Sequence, residues 1–186
     1  MAKSSFLAFD IGASSGRAIL GILENKKVEL IEIHRFKNQM TKIQGSYFWN
    51  IFGLFDELKT GLKKCISDYK IQPDSVGIDT WGVDYALVTG EGQLIGLPFA
   101  YRDHRTDNSM EEFFRILPKK QTYLLSGIQF MQFNTLFQLF SSVQQNYSGL
   151  NIAESLLFMP DALNYLFTGI KKIEYTIAST SQLLKP

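Results

Sequence analysis

The chain has 186 residues, 45% of them hydrophobic, and a net charge of +1 at pH 7, as expected for an ordinary soluble globular protein of about one domain. The near-neutral charge gives no support for a nucleic-acid or acidic-membrane partner, and no apolar run reaches the roughly 18 residues of a membrane span. Cys65 is the single cysteine, so an intrachain disulfide is excluded and we expect a cytoplasmic protein.

The first elements along the chain are predicted to be strands. Apolar runs at residues 6–9, 17–23 and 28–33 each have the length and composition of a strand. The connections between them are short, which favours an antiparallel meander.

A helix is predicted next, followed by short strands and then more helices. Apolar residues recur at spacings of three and four from Ile51 to Tyr69, with Asn50 as the predicted N-cap and residues 72–74 as the end. Residues 75–78 and 85–89 predict two buried strands. Three later helices are predicted. The first is capped by Asp107 and stopped by Pro118, and the second starts after residues 134–135. The third runs over residues 160–167 and is closed by Gly169.

Strands grouped around a crossover helix predict the α/β class with a mixed sheet flanked by helices. A meander that feeds a helix and then a further strand is typical of a ribonuclease H-like lobe, the half-unit of the actin, Hsp70 and hexokinase ATPase architecture.

The stretch DIGASSGR at residues 10–17 joins the first two predicted strands and allows two interpretations. One is a tight turn in which Asp10 is only a turn-former. The other is a phosphate-binding hairpin, in which Ser14 and Ser15 offer donors for an anion and Arg17 neutralises phosphate charge. A carboxylate beside a phosphate is repulsive unless a cation intervenes, so this interpretation assigns Mg²⁺ to Asp10.

Two further polar segments are candidates for a binding site. In GIDTWGVD (residues 77–84), Asp79 and Asp84 could accept hydrogen bonds from sugar hydroxyls beside the apolar Trp81, or the segment could be a turn with a core tryptophan. In YRDHR (residues 101–105) either arginine could pair with Asp103, as in an ordinary surface ion-pair cluster. His104 is expected to be exposed or structural, and the two histidines show no zinc-ligand spacing.

Taken together, these segments resemble the FGGY family of carbohydrate kinases, and within it the kinases that act on L-rhamnulose. The resemblance runs in order along nearly the whole chain. It is carried by the following segments: DIGASSGR (10–17), HRF (34–36), GIDTWGVD (77–84), GLP (96–98), AYRD (100–103), Arg105, SGIQF (126–130), FNTL (133–136), MPD (159–161), EYT (174–176) and QL (182–183). The first segment is common to several sugar kinases, and the combination of GIDTWGVD, AYRD and SGIQF is far more specific.

The resemblance implies an ATP-dependent kinase that transfers the γ-phosphoryl group to the 1-hydroxyl of L-rhamnulose. It places the ATP phosphates on Ala13, Ser14, Ser15, Gly16 and Arg17, and Mg²⁺ on Asp10, through water. It places the sugar contact on Gly82, with Asp84 and Arg102 as neighbours.

The resemblance also implies that residues 1–186 form an incomplete N-terminal domain. The family's catalytic base and its adenine-binding second domain would then lie beyond Pro186, no catalytic residue is assigned within the chain, and the fragment alone is expected to be inactive. Two alternatives stay open: a kinase of the same family for another ketose, such as fuculose or xylulose, and a non-catalytic sugar-binding or regulatory domain. The sequence leaves the oligomeric state open.

Overall fold

A computed structural model describes residues 3–185. Its strands, in chain order, are β1 (Ser4–Ile11), β2 (Ser15–Glu24), β3 (Lys27–Lys37), β4 (Met40–Ile43), β5 (Ser46–Trp49), β6 (Ser75–Thr80), β7 (Tyr85–Val88) and β8 (Ser155–Phe158). Its α-helices are α1 (Ile51–Ser67), α2 (Ser109–Ile116), α3 (Lys119–Ser126), α4 (Thr135–Gln144), α5 (Gly149–Ile152), α6 (Met159–Thr168) and α7 (Tyr175–Ser179). The chain divides into two compact units: the first runs to Gln39 and includes Asn50–Trp81, and the second contains Met40–Trp49 and the residues from Gly82 on.

The first unit is built on a four-stranded sheet of order β3-β2-β1-β6. β1, β2 and β3 pair antiparallel, whereas β6 pairs parallel with β1. The predicted meander and the mixed sheet are therefore both confirmed. The register places Asp10 opposite Arg17 on one side and opposite Asp79 on the other.

Helix α1 covers one face of this sheet. Leu7, Phe9 and Ile11 alternate along β1 and are each 1% exposed, as expected for a strand with one buried face. At Gly61 the helix approaches the sheet so closely that a Cβ there would lie 2.8 Å from Phe9 Cε1. The predicted cap is confirmed, since the Asn50 side chain accepts a hydrogen bond from the Gly53 amide.

A histidine ties β3 to α1. His34 Nε2 lies 2.6 Å from Glu57 Oε2, and His34 Nδ1 lies 3.0 Å from Lys64 Nζ. Because an ammonium group can only donate, Nδ1 accepts from Lys64 and the ring proton sits on Nε2, where it bonds the carboxylate. The side chain is therefore structural.

The second unit contains two antiparallel ribbons, β4–β5 and β7–β8, together with helices α2 to α7. The β4–β5 hairpin turns at Gln44 and Gly45, whose φ values are 49° and 92°. Two consecutive positive φ values are typical of a type I′ hairpin turn. This ribbon, β8 and α3 are elements that the sequence patterns did not indicate.

Two local predictions are wrong. The pattern of residues 75–78 predicts a buried strand, but Val76 is 43% exposed. Asp107 does not cap α2, because Asn108, at φ 68°, occupies that position. The remaining helix predictions, including Gly169 as the αL residue that ends α6, are confirmed. Within residues 3–185, no helix is both long and apolar enough to cross a bilayer.

Candidate functional site

The DIGASSGR stretch forms the hairpin between β1 and β2, and its loop is held by Asn38, the residue that follows β3. Within the loop, the Gly12 amide donates to the Ser15 carbonyl at 2.9 Å. Asn38 then bonds the loop twice: its backbone amide donates to the Ser14 carbonyl at 3.0 Å, and its Nδ2 donates to the Gly12 carbonyl at 2.9 Å. Carbonyl oxygens would repel a phosphate, so engaging them inside the protein makes the loop more suitable for an anion.

Gly16 follows the loop and lies directly over an aromatic ring. A Cβ at this position would lie 2.2 Å from Cζ of Phe36, which is buried in the first unit. The absence of a side chain at Gly16 is therefore required by packing. At Gly12, by contrast, the nearest atom to an added Cβ is the Ser15 carbonyl oxygen at 3.5 Å, an ordinary contact.

Asp10 and Arg17 form an ion pair at the base of this hairpin. Arg17 Nε and Nη2 both donate to Asp10 Oδ2, at 2.9 and 2.7 Å. The Asp10 side chain is 48% exposed and the Arg17 side chain is 43% exposed. Because both donors bind Oδ2, the pair does not use Oδ1 of Asp10.

Further charges surround this pair. Across β2–β3 the register partner of Arg17 is Arg35, which bonds Glu32 through Nε at 2.8 Å and through Nη2 at 2.5 Å. The hydrogen bond from Arg35 holds the pKa of Glu32 below its ordinary value, and the charge of Arg17 contributes to the same effect. Basic and acidic side chains thus alternate beside the hairpin.

Asp79 adds a second carboxylate next to Asp10. The two residues are register partners at the C-terminal ends of the parallel strands β1 and β6, and Asp79 is exposed. Within the described part of the chain, no three or more His, Cys, Asp or Glu residues form a metal-binding group. One or two carboxylates suit Mg²⁺, which keeps several of its waters.

In the second unit, Gly82, Val83 and Asp84 form a γ-turn of the positive-φ form. The Asp84 amide donates to the Gly82 carbonyl at 2.9 Å, and Val83 has φ of 70°. This turn is rare and strained, and holding a residue in such a region costs about 1–3 kcal/mol. A β-branched residue is a pronounced outlier at this φ.

The Asp84 side chain lies in the interior of the second unit. It is 0% exposed, and its Oδ2 accepts from Trp49 Nε1 at 2.6 Å and from the Tyr101 amide at 3.1 Å. Its Oδ1 accepts from Gln138 Nε2 at 2.8 Å. The carboxylate therefore has three protein donors and no contact with solvent, so it is held in place by the protein rather than presented to a sugar hydroxyl.

The network around Asp84 continues through a polar stripe on α4. Its members lie three, six and seven positions along the helix from Thr135 and are each at most 2% exposed: Thr135, Gln138, Ser141 and Ser142. Gln138 Oε1 accepts from Arg105 Nη2 at 2.8 Å, and Ser142 Oγ accepts from Arg105 Nη1 at 2.7 Å. This stripe is absent from the sequence-based predictions, although polar residues at helical spacing within an apolar segment are a usable signal.

The expected pairing of Asp103 with a neighbouring arginine side chain is wrong. Asp103 is buried and accepts from two backbone amides, Tyr47 at 2.7 Å and Arg105 at 3.0 Å. The Arg105 guanidinium instead bonds α4 and lies 4.1 Å from the Phe99 ring centroid. Arg102 is exposed beside Tyr101, 5.5 Å from its ring centroid. His104 is 75% exposed, as predicted.

The predicted site residues thus fall into the two units. Asp10, Ala13, Ser14, Ser15, Gly16 and Arg17 lie together on one hairpin of the first unit, next to Asp79. Gly82, Asp84 and Arg102 lie in the second unit, where Tyr101 connects Arg102 to Asp84.

Comparison with known proteins identifies the class. The sequence model of one protein family, the N-terminal domain of the FGGY family of carbohydrate kinases, matches residues 5–185. The chain belongs to this family.

The curated relatives that it resembles include two rhamnulokinases. It is 48% identical to the rhamnulokinase of Halalkalibacterium halodurans over 178 residues, which are 96% of this chain and 38% of that protein. It is 43% identical to the rhamnulokinase of Bacteroides thetaiotaomicron over 182 residues, covering 98% of this chain and 37% of that protein. The chain therefore spans little more than a third of the length of these relatives.

Solved structures agree on the fold. A ligand-bound xylulose kinase from Lactobacillus acidophilus superposes with a TM-score of 0.84 at 11% identity, over 98% of this chain and 37% of that one. A glycerol kinase from Plasmodium falciparum, solved with ADP, gives 0.76 at 14% identity, over 98% of this chain and 38% of that one. These likenesses confirm the predicted ribonuclease H-like α/β fold.

Proposed function

We propose that the protein phosphorylates L-rhamnulose at its 1-hydroxyl with ATP as donor. The observation that carries this proposal is the 48% identity to a rhamnulokinase over 96% of the chain. The activity and substrate concern the whole protein, of which this chain supplies the phosphate hairpin and the sugar contact. A general-base carboxylate and an adenine site, which complete a kinase of this type, are proposed to lie in the part of the relatives' length that the chain does not span.

The hairpin would hold the phosphates of ATP with residues 13–17. Arg17 can present a guanidinium to phosphate oxygens, a strong charge-assisted interaction, while Ser14 and Ser15 supply hydroxyl and amide donors. The alternative view of Asp10 as a mere turn-former has less support, because its carboxylate pairs with Arg17 and adjoins Asp79.

The same residues fit a magnesium ion. Asp10 retains Oδ1 outside its pair with Arg17, and Asp79 stands beside it, so carboxylate oxygens and water would form the ligand set. Bound there, Mg²⁺ would neutralise phosphate charge. Arg17 would meanwhile orient Asp10, since its two donors fix the other carboxylate oxygen.

In the second unit, the proposed sugar contact is the backbone of Gly82. Arg102 is exposed and available to hydroxyl groups, whereas Asp84 would act from the interior by holding the backbone that carries Gly82. We further propose that the protein works in the cytoplasm on a small-molecule ketose, without a nucleic-acid or membrane partner.

A ketose panel tests the proposed function. The complete protein would be assayed for ADP formation with L-rhamnulose, L-fuculose and D-xylulose, with Mg²⁺ and after its removal by EDTA. We expect the highest kcat/KM for L-rhamnulose and no activity without Mg²⁺. A higher kcat/KM for another ketose would show a different kinase of the family. Ketose binding with no phosphorylation of any sugar would favour a non-catalytic binding protein.

A further inference from the structure

Two side chains of α4 contact the carbonyl oxygen of Val83, the central residue of the γ-turn. Thr135 Oγ1 donates to the Val83 carbonyl at 2.8 Å, and Gln138 Nε2 lies 3.3 Å from the same oxygen. Thr135 and Gln138 are 0% and 1% exposed, so water does not substitute for these contacts. Valine does not adopt this φ readily, and such a conformation persists only where the surroundings over-determine it.

The turn fixes the direction of the Gly82 peptide. Its hydrogen bond uses the Gly82 carbonyl, so the Gly82 N–H is the backbone group that the turn does not use. Among the described residues, a Cβ at Gly82 would meet Thr180 Oγ1 alone, at 3.7 Å. Packing therefore does not require glycine here, and the absence of a side chain leaves room for a ligand to approach the backbone closely.

We propose that Thr135 and Gln138 are positioning residues for the ketose. They maintain the strained turn, so that Gly82 presents its backbone to the sugar in one orientation before the sugar binds. This inference rests on the proposed function. Pre-organisation of this kind reduces the ordering that binding would otherwise require, so its loss appears in the KM for the ketose.

Thr135 gives the cleaner test, because Gln138 also bonds Asp84, Arg105 and the Phe133 carbonyl. Thr135→Val keeps the side-chain shape and removes the hydroxyl, whereas Thr135→Ser keeps the hydroxyl. Thr122→Val is the matched control, since Thr122 is a 3% exposed threonine of α3 whose hydroxyl bonds the carbonyls of Leu117 and Pro118. The complete protein carries each substitution, and KM for the ketose, KM for ATP, kcat and Tm are measured.

We expect Thr135→Val to raise the ketose KM about fivefold, as the loss of one net hydrogen bond would, with the KM for ATP unchanged. Thr135→Ser should restore the ketose KM. Thr122→Val should lower Tm and leave the ketose KM unchanged. If Thr135→Val does not fold, Val83→Gly replaces it: glycine keeps the fold but leaves the turn less rigid, so the ketose KM should again rise.

The outcomes separate the two proposals. Ketose turnover by the unsubstituted protein, with a ketose KM that neither Thr135→Val nor Val83→Gly changes, would overturn the positioning role alone. A parallel rise in the ketose KM for Thr122→Val would also overturn it, because the effect would then follow stability. Absence of turnover with every ketose would overturn the proposed function, and the positioning role with it.

Discussion

The side-chain amide of Asn38 donates to the carbonyl of Gly12 at 2.9 Å, across 26 positions of sequence, and so fixes the loop between β1 and β2. Asn38 is 4% exposed. Its backbone amide bonds the same loop at Ser14, and that second bond survives any substitution other than proline. The side-chain bond can therefore be removed by itself.

Replacing Asn38 with leucine, which has nearly the same size, should loosen the hairpin. We expect the free energy of unfolding to fall by about 0.5–1.5 kcal/mol, as for the loss of one hydrogen bond, and the KM for ATP to rise several-fold while the ketose KM stays constant. Ile33→Val, on the strand β3 that precedes Asn38, is the control, because it lowers stability by a similar amount of about 0.5–1.5 kcal/mol without touching the loop. Equal KM values for ATP in the two variants would refute a role of Asn38 in phosphate binding.

The two glycines of the hairpin are predicted to respond differently to alanine. Gly12→Ala meets only an ordinary contact at 3.5 Å, so thermal unfolding should be unchanged while the added methyl hinders phosphate approach and raises the KM for ATP. Gly16→Ala forces the Phe36 ring to move from 2.2 Å and should cost about 1–3 kcal/mol of stability. Gly12→Ala therefore tests the approach of a phosphate to the loop without a change in packing: a Gly12→Ala protein with a normal KM for ATP would argue against phosphate binding at this loop.

Gly82→Ala tests the proposed sugar contact. The new methyl group would lie 3.7 Å from Thr180 Oγ1 and leaves the fold intact, so we expect the same Tm and at least a tenfold rise in the ketose KM. Thr180→Ala combined with Gly82→Ala removes that nearby side-chain atom. If the double variant regained the normal ketose KM, the effect would come from Thr180 and not from the sugar.

Asp161, at the start of α6, is predicted to make stability depend on pH. It is 5% exposed, one oxygen accepts from the Glu174 amide at 3.1 Å, and Oδ2 has no hydrogen-bond partner among the described residues. Burial raises the pKa of this carboxyl above its ordinary value of 3.8, and the negative charge of Glu174 adds to the rise, while the hydrogen bond from the Glu174 amide opposes it.

The direction in which stability changes with pH follows from the linkage between proton binding and folding. Between the ordinary and the raised pKa the folded protein holds a proton that the unfolded chain has lost, so stability falls as the pH rises through that window. Asp161→Asn keeps an oxygen acceptor and cannot ionise. Unfolding by urea at a series of pH values from about 3 to 8 should therefore show a variant that gains stability relative to the original protein as the pH rises. Parallel pH curves for the two proteins would contradict the prediction.

Local pattern determined much of the fold and the identity of the candidate segments. The three-strand meander, the α1 helix with its Asn50 cap, and the Gly169 end of α6 all follow from periodicity and from residues adjacent in sequence. The DIGASSGR and GIDTWGVD motifs likewise indicate the family through short runs of neighbouring residues.

Only the tertiary structure decided how the polar residues are used. Asp84 receives its donors from Trp49, 35 positions away, and from Gln138, 54 positions away, so nothing near it in sequence reveals that its carboxylate faces inward. The hydrogen bond from Asn38 to the hairpin and the strained φ of Val83 likewise depend on residues that are distant in sequence. Periodicity reports which side of an element is apolar, but the partner of a buried polar group depends on which distant segments the fold packs against it.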